Sequence, residues 1–457
     1  MKIATTDAKH INNSNIFAIP VGDYFGQKAK DFYLIYSPLS GSMFILDHTQ
    51  IEEFEDSLLR RQVSPSFEKF SEAIEVLLDF EMDPGQLKLP KNPGQYRKMS
   101  IIPNYKCNFS CSYCYSAVGR SDKEISRETL QTAIDFLFES NKTSRNNLKF
   151  FVSGGGEPLL SWDVLKFGLD YAYDRADREN IRLETQIMTN GSILTDEMIS
   201  FFIQHNIRIC VSFEILEEIQ NKHRKNYQLV LKNIAKLVNA GLRPSISSTI
   251  TKESVALQSK MFSTMLDRFP EIAGINFDPV LAPELFTSPA DLQQFFDDFI
   301  KYFMIARQEN KSYHVIPYCS MCRLLDNITL RYCPGKLCVT PESTISICHS
   351  ITSPKEKDYQ KYIYGKIDDQ PSINFDEQKF QKLIGNNVLT REKCQNCFAK
   401  WHCGGGCIMQ NTKYSGEENE LICYFTRKFI RQLLLERLEE EYSANNGPGL
   451  KEVVLNS

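Results

Sequence analysis

Between about Met99 and Val280 the chain alternates short apolar runs with longer stretches whose apolar positions recur every three or four residues. SIIPNY, LKFFVSG, LETQIMTN, RICVSF, PSISSTI and GINFDPV read as strands, whereas TLQTAIDFLFES, WDVLKFGLDYAYDRA, DEMISFFIQHN and YQLVLKNIAKLVNAG read as amphipathic helices. Strand–helix alternation of this kind predicts parallel strands joined by crossover helices, an α/β fold, and six such repeats fit a partial (β/α)6 barrel. In such folds the loops that follow the strands form the active face. Toward the N-terminus DFYLIYSPLSGSMFILD reads as two strands around a Pro-Leu-Ser-Gly turn, with helices over QIEEFEDSLLRR and SFEKFSEAIEVLLDF and a linker, DPGQLKLPKNPG. At the other end Ile422, Phe425, Phe429, Leu433 and Leu434 recur at helical spacing ahead of the charged ERLEEEY. The expected organisation is a small α+β domain over 1–95, a barrel over 96–310, a cysteine-rich domain over 311–430, and a C-terminal helix and tail over 431–457.

A chain of 457 residues accommodates two or three domains. Hydrophobic residues make up 42% and charged residues 24%, and no apolar run is long enough to span a bilayer, so no membrane partner is expected. The first twenty-five residues lack the apolar core and cleavage site of an export signal, which implies a cytoplasmic location. A net charge of -4 gives no field that would attract nucleic acid.

The fourteen cysteines change this picture most. In a reducing compartment clustered thiols signal metal rather than disulfides. Cys107, Cys111 and Cys114 form one group, Cys319 to Cys348 a second and Cys394 to Cys423 a third; Cys210, in IRICVSF, stands alone and reads as a small hydrophobe in a buried strand. The first group, KCNFSCSYCYS, follows the opening strand with C-x3-C-x2-C spacing. Three thiolates on a cubane of four irons leave one iron open to another ligand. A structural zinc site would want a fourth protein ligand, and this loop offers none.

With Tyr113 before its last cysteine, this loop resembles the signature of the radical S-adenosylmethionine (SAM) superfamily. The resemblance implies that Cys107, Cys111 and Cys114 hold a [4Fe-4S] cluster whose fourth iron is chelated by SAM. FFVSGGGEPLL after the second strand is similar to the family's GGEP motif, which makes Gly154, Gly155, Gly156 and Glu157 candidates beside the SAM amino group. Asn190 in MTNGSIL joins this cofactor-binding set. In related maturases a serine on the fourth strand and a following arginine hold the SAM carboxylate, and Ser212 and Arg224 fit those positions. Glu214 and Ile215 stand where members carry an aspartate–glycine pair. A solvated helix face is the alternative setting for Arg224.

Downstream, CQNCFAKWHCGGGC with Cys423 after it, and Cys333 and Cys348 upstream, resembles the twin-cluster SPASM extension of anaerobic sulfatase maturases and peptide-modifying radical SAM enzymes. By that pattern Cys394, Cys397, Cys403 and Cys423 hold an outer [4Fe-4S] cluster. Cys333, Cys348 and Cys407 hold an inner one, with Cys322, Cys319 or Cys338 as its fourth ligand. Ser343 replaces the family's glycine before Cys348. C-x2-C pairs also suit a zinc ribbon. His349 occupies the place where sulfatase maturases carry an aspartate thought to act as a base, and is either a base here or a surface histidine. The resemblance implies three clusters, SAM, an external one-electron reductant of flavodoxin or ferredoxin type, and a peptide or protein substrate whose side chain is oxidised or cross-linked. The N-terminal hairpin and helices resemble leader-peptide-binding elements or form a plain cap. A small-metabolite substrate and a non-catalytic Fe-S or zinc protein are the alternatives.

Overall fold

The computed structural model describes residues 8–11, 15–25, 30–60, 65–79, 82–142, 147–368, 372–408, 414–444 and 450. Arg61 and Phe80, expected to end two N-terminal helices, and the outermost parts of the expected 1–95 and 431–457 segments lie outside these residues. The chain forms two compact units, one of residues 1–89, 320–332 and 386–457, the other of residues 90–319 and 333–385.

The first unit begins with an antiparallel sheet in the order β1 (Lys9–Ile11), β2 (Ile16–Pro20), β3 (Phe32–Tyr36) and β4 (Met43–Asp47). Asp47 ends β4 and caps the next helix, α1 (His48–Arg60), by accepting from the amides of Thr49 and Gln50. Helix α2 (Pro65–Asp79) follows, and Ile51, Phe54, Phe70, Ile74 and Leu77 from the two helices bury against Ile16, Ala18, Ile35 and Leu46 of the sheet. The hairpin and both helices appear as expected; β1 and β2 were not, because KHI and a five-residue IFAIP are too short to show a period.

The second unit holds the barrel strands β5 (Lys98–Ile101), β6 (Leu148–Val152), β7 (Leu183–Thr189), β8 (Arg208–Ser212), β9 (Ser245–Ile250) and β10 (Gly274–Pro279), each parallel to the next. Between and after them run α3 (Arg127–Asn141), α4 (Trp162–Glu179), α5 (Asp196–Gln204), α6 (Glu217–His223), α7 (Tyr227–Asn239), α8 (Gln258–Arg268) and α9 (Pro289–Glu309). Side-chain oxygens of Ser126, Thr195 and Ser288 cap α3, α5 and α9. Among the described residues β10 does not pair with β5, so the sheet stays open as a partial barrel. On the other side of β5 the sheet continues through β11 (Leu337–Val339), parallel to β5, then antiparallel β12 (Thr344–Ser346), β13 (Ile363–Ile367) and β14 (Ile373–Phe375).

This extension moves the unit boundaries. Residues 333–385, expected to sit in one cysteine-rich domain with 386–430, belong with the barrel because β11 hydrogen-bonds β5. The first unit closes with α10 (Gly416–Ala444), a helix of 29 residues that carries Cys423 and runs through the expected break at 430. Among the described residues no helix is long and apolar enough to cross a membrane.

Candidate active site

The segment leaving β5 carries Cys107, Cys111 and Cys114, and all three thiols line one cavity of about 570 Å³. Its walls add Lys106, Asn108 and Arg120. Arg120 Nη2 donates to Cys114 Sγ at 3.2 Å, and the Asn190 amide nitrogen lies 3.9 Å from Cys107 Sγ and donates to Asn108 Oδ1 at 2.9 Å. Burial pushes the Cys111 thiol pKa up, with the nearby Arg224 opposing. A cluster would deprotonate these thiols on binding.

The glycines after β6 are required by close approach. Gly154 and Gly155 have φ of +95° and +65°, and a Cβ on Gly156 would lie 1.7 Å from the Lys106 carbonyl. Gly156 and Glu157 donate backbone N–H to the carbonyls of Asn104 and Lys106, so this loop is zipped onto the start of the cysteine loop. The buried Asn104 side chain completes the join by donating to Glu157 O and Ser161 Oγ. Glu157 is 2% exposed; its carboxylate accepts from Leu159 N, Thr189 Oγ1 and Asn190 N and thereby ties the loop after β6 to the loop after β7. Burial raises its pKa while those donors hold it down.

Ser212 ends β8, paired in register with Ser247 of β9. Arg224 follows α6, and its side chain is 12% exposed, which corrects the solvated-face alternative: Glu214, 0% exposed, draws the guanidinium inward through a 2.9 Å bond from Nε. The same Nε donates to Tyr113 Oη at 2.7 Å, and the guanidinium lies over the Tyr113 ring. His223 accepts Ser112 N at its carbonyl and meets Ser112 Oγ at Nδ1, 2.8 Å away. Removing one partner of a buried pair such as Glu214–Arg224 costs about 3–5 kcal/mol.

His349 is half-buried rather than on the surface: its carbonyl lies where a Cβ on Gly154 would reach it at 2.6 Å, its ring meets Phe151 edge-on, and Lys336 Nζ donates to its Nδ1. Burial, then Lys336 and Lys98, push its pKa well down, so the ring is neutral near pH 7. Packing against the loop after β6 drew it in, which the sequence position alone did not show.

In the first unit Cys394, Cys397, Cys403 and Cys423 line one small pocket of about 50 Å³, with Lys393, Lys400 and Arg427 around them. Cys394 and Cys397 flank a tight turn, Cys403 ends a helical turn (Lys400–Cys403), and α10 supplies Cys423. Burial pushes the Cys403 thiol up to about 12. Among the described residues no three Cys, His, Asp or Glu side chains converge at the spacing of a single bound ion. The other expected set is divided: Cys333, Cys348, Cys319 and Cys338 belong to the barrel unit, Cys322 and Cys407 to the first. Cys338 packs against Ile102 and Tyr105, and Cys210 is buried in β8 as expected. Sequence reading passed over Asn104, Arg120, His223 and the Glu214 carboxylate; Asn104, Arg120 and Glu214 each lie within six positions of a cysteine, whereas His223 had no such signal.

A cavity walled by three thiols at the mouth of a partial parallel barrel, cradled by a glycine loop, defines an α/β protein suited to hold a thiolate-bound metal cluster with an open position. Residues 101–252 match the radical SAM superfamily model. It is 29% identical over 181 residues to an uncharacterised protein of Methanothermobacter thermautotrophicus, covering 36% of this chain and 62% of that one. It is 23% identical over 204 residues to the radical SAM cyclopropyl synthase TigE of Paramaledivibacter caminithermalis, covering 40% of this chain and 42% of that one. The chain thus spans less than two thirds of either relative. A longer match, 22% identical over 363 residues, covers 71% of this chain and 92% of the cysteine-type anaerobic sulfatase-maturating enzyme of Clostridium novyi. The solved structure of native anSMEcpe with bound AdoMet superposes with a TM-score of 0.58 at 15% identity, covering 74% of this chain and 98% of that one, which shows the shared fold.

Proposed function

We propose that this chain is a radical SAM enzyme that cleaves SAM reductively and removes a hydrogen atom from a peptide or protein side chain, giving an oxidised or cross-linked product. The observation that carries the reading is the placement of three thiols, Cys107, Cys111 and Cys114, on one wide cavity directly after the first barrel strand. Three thiols, a void and an Arg120 donor on one sulfur suit a [4Fe-4S] cluster with one open iron. Held by Cys107, Cys111 and Cys114, such a cluster would supply the single electron that reductive cleavage of the SAM sulfonium needs.

The remaining work falls to the chain. The backbone of Gly154, Gly155 and Gly156 receives the SAM amino group, Arg224 and Ser212 its carboxylate, and Glu157 and Asn190 brace the loops that carry these contacts. Barrel walls hold the substrate carbon against the radical and exclude water. His349, neutral near pH 7, accepts the substrate proton. Cys394, Cys397, Cys403 and Cys423 hold an outer auxiliary cluster, which their shared pocket fits. For the inner one the barrel unit offers Cys333 and Cys348, with Cys319 and Cys338 as candidates for a further ligand. A flavodoxin- or ferredoxin-like carrier supplies electrons, and the protein works in the cytoplasm. Support for a protein substrate comes from the relative named a sulfatase-maturating enzyme.

The test is anaerobic reconstitution with iron and sulfide, then incubation with SAM, a strong reductant and candidate peptides. About twelve irons per chain and 5′-deoxyadenosine production, accelerated by a peptide that changes mass, are expected. Absence of iron, or iron without SAM cleavage, overturns the reading.

A further inference from the structure

The buried Glu214 carboxylate accepts four hydrogen bonds beside the cysteine loop. One oxygen accepts from Tyr113 Oη and Arg224 Nε; the other accepts from Ser248 Oγ at 2.7 Å and Thr249 N at 2.9 Å. It therefore joins three places: the cysteine loop after β5, the exit of β8 and the upper end of β9. Its own backbone is pinned too, because Gln220 Oε1 accepts Glu214 N while Gln220 Nε2 donates to Lys225 O.

The next residue shows what this pinning sustains. Ile215 sits at φ +63°, a conformation in which a β-branched residue is a true outlier and glycine is at ease. Lys225 and Asn226, at φ +72° and +55°, are left-handed as well. A segment with three such residues keeps its path because Glu214 and Gln220 hold both of its ends.

Arg224 gives the arrangement its direction. Among the described residues it makes its hydrogen bonds through Nε alone. The two Nη groups of the fork are left for another acceptor, and a guanidinium fixed along one edge is preorganised for a carboxylate on the other. The guanidinium lies over the ring of Tyr113, which falls in sequence between Cys111 and Cys114, so its charge stands beside the cysteine loop.

We propose that Glu214 is a positioning residue that orients the Arg224 fork toward the carboxylate of SAM and balances its charge beside the cysteine loop, a role that rests on the radical SAM reading above. Two consequences separate it from a merely structural acid. Losing the orientation weakens SAM binding; losing the negative charge leaves a bare guanidinium near the cluster and makes the cluster easier to reduce.

The experiment compares wild type, Glu214→Gln and Arg224→Lys as reconstituted holoenzyme. SAM affinity is read by equilibrium dialysis, the SAM-induced change in the electron paramagnetic resonance of the reduced cluster is recorded, and the cluster midpoint potential is titrated. Glu214→Gln is expected to weaken SAM binding about tenfold and to shift the midpoint upward. Arg224→Lys, which keeps the charge and loses the fork, is expected to weaken binding by a similar factor with the midpoint unmoved. Wild-type affinity and midpoint in folded Glu214→Gln overturn the proposal. If that variant does not fold, wild-type affinity in Arg224→Lys does the same. A wild-type protein that binds no iron or leaves SAM intact instead overturns the enzyme reading itself.

Discussion

The chain builds two thiol pockets from the same donor atom in opposite settings. The pocket after β5 sets three thiols on the wall of a cavity of about 570 Å³, with Arg120 on one sulfur. The pocket of the first unit sets four thiols around about 50 Å³ and adds Lys393, Lys400 and Arg427. On the proposed function, a cluster in the first would keep an open iron and room for a reactant, whereas one in the second would be fully ligated and wrapped in positive charge, which suits electron uptake rather than bond chemistry. Ligand count and free volume, rather than the metal, would then assign the two roles.

Breaking one thiol in each pocket produces the largest contrast. Each of Cys111→Ala and Cys397→Ala is expected to lower iron content by about four per chain. Cys111→Ala is expected to cut 5′-deoxyadenosine formation by about 1,000-fold or more, whereas Cys397→Ala keeps peptide-free SAM cleavage within about tenfold while product formation fails. Equal loss of SAM cleavage in both variants breaks the division of labour. The glycines sharpen it next. In Gly156→Ala the new Cβ collides with the Lys106 carbonyl, and a cost of about 3 kcal/mol or more is expected with SAM binding lost. Gly406, at φ +81° with open space around it, is expected to cost about 1 kcal/mol as alanine and to leave SAM cleavage in place. Thermal melts and SAM dialysis read both.

The comparison also shows what pattern reading reaches. The six barrel strands were legible because each is a short run set off by a helix, LKFFV and RICVS as apolar runs and SISSTI by its alternation, and the cysteine loop was legible because its spacing survives any backbone detail. Strands β11 to β14 were not: LCV, TIS, IYGKI and INF are three to five residues long, and β11 is a strand because β5, far away in sequence, pairs with it. Ile215 and Ser343 teach a finer point. Both stand where the family pattern has glycine, and both keep the left-handed backbone, φ +63° and +55°. Only the surrounding hydrogen bonds reveal how the strained backbone is held: Ser248 Oγ and Thr249 N donate to the Glu214 carboxylate in one case, and the Thr129 and Ser343 hydroxyls pair in the other. Cys423 was placed by spacing, and the helical recurrence from Ile422 to Leu434 put it on a helix; the pattern did not show that this helix runs unbroken from Gly416 to Ala444.

Charge around the sulfurs gives a smaller, signed effect. Arg120→Ala removes a donor from Cys114 Sγ and is expected to lower the midpoint of the first cluster, slowing its reduction a few-fold, about threefold, with the outer cluster unmoved. Lys393→Met, which takes one of the three cations from the four-thiol pocket, is expected to lower the outer midpoint and leave peptide-free SAM cleavage at the wild-type rate. A redox titration that moves both clusters in either variant erases the electrostatic distinction between the pockets.

The smallest expected effect is a pH dependence confined to the support of the cysteine loop. Glu253 bonds Lys222 Nζ at 2.6 Å and lies 3.5 Å from Nε2 of His223, the residue whose other face holds Ser112. Burial alone raises its pKa; the Lys222 ammonium, the backbone, the Thr251 hydroxyl and His223 outweigh it and bring the value to about 2 from 4.5. A carboxyl depressed in the folded state adds stability that is complete above pH 4.5 and is lost as the pH falls through 4.5 toward 2. Because the side chain is 40% exposed, solvent screening limits the contribution to about 0.5 kcal/mol. In melts of cluster-free protein, Glu253→Gln is expected to be less stable than wild type at pH 7 by that small amount and indistinguishable from it near pH 2. A gap that persists in acid would mean that Glu253 supports the loop through packing rather than through its charge.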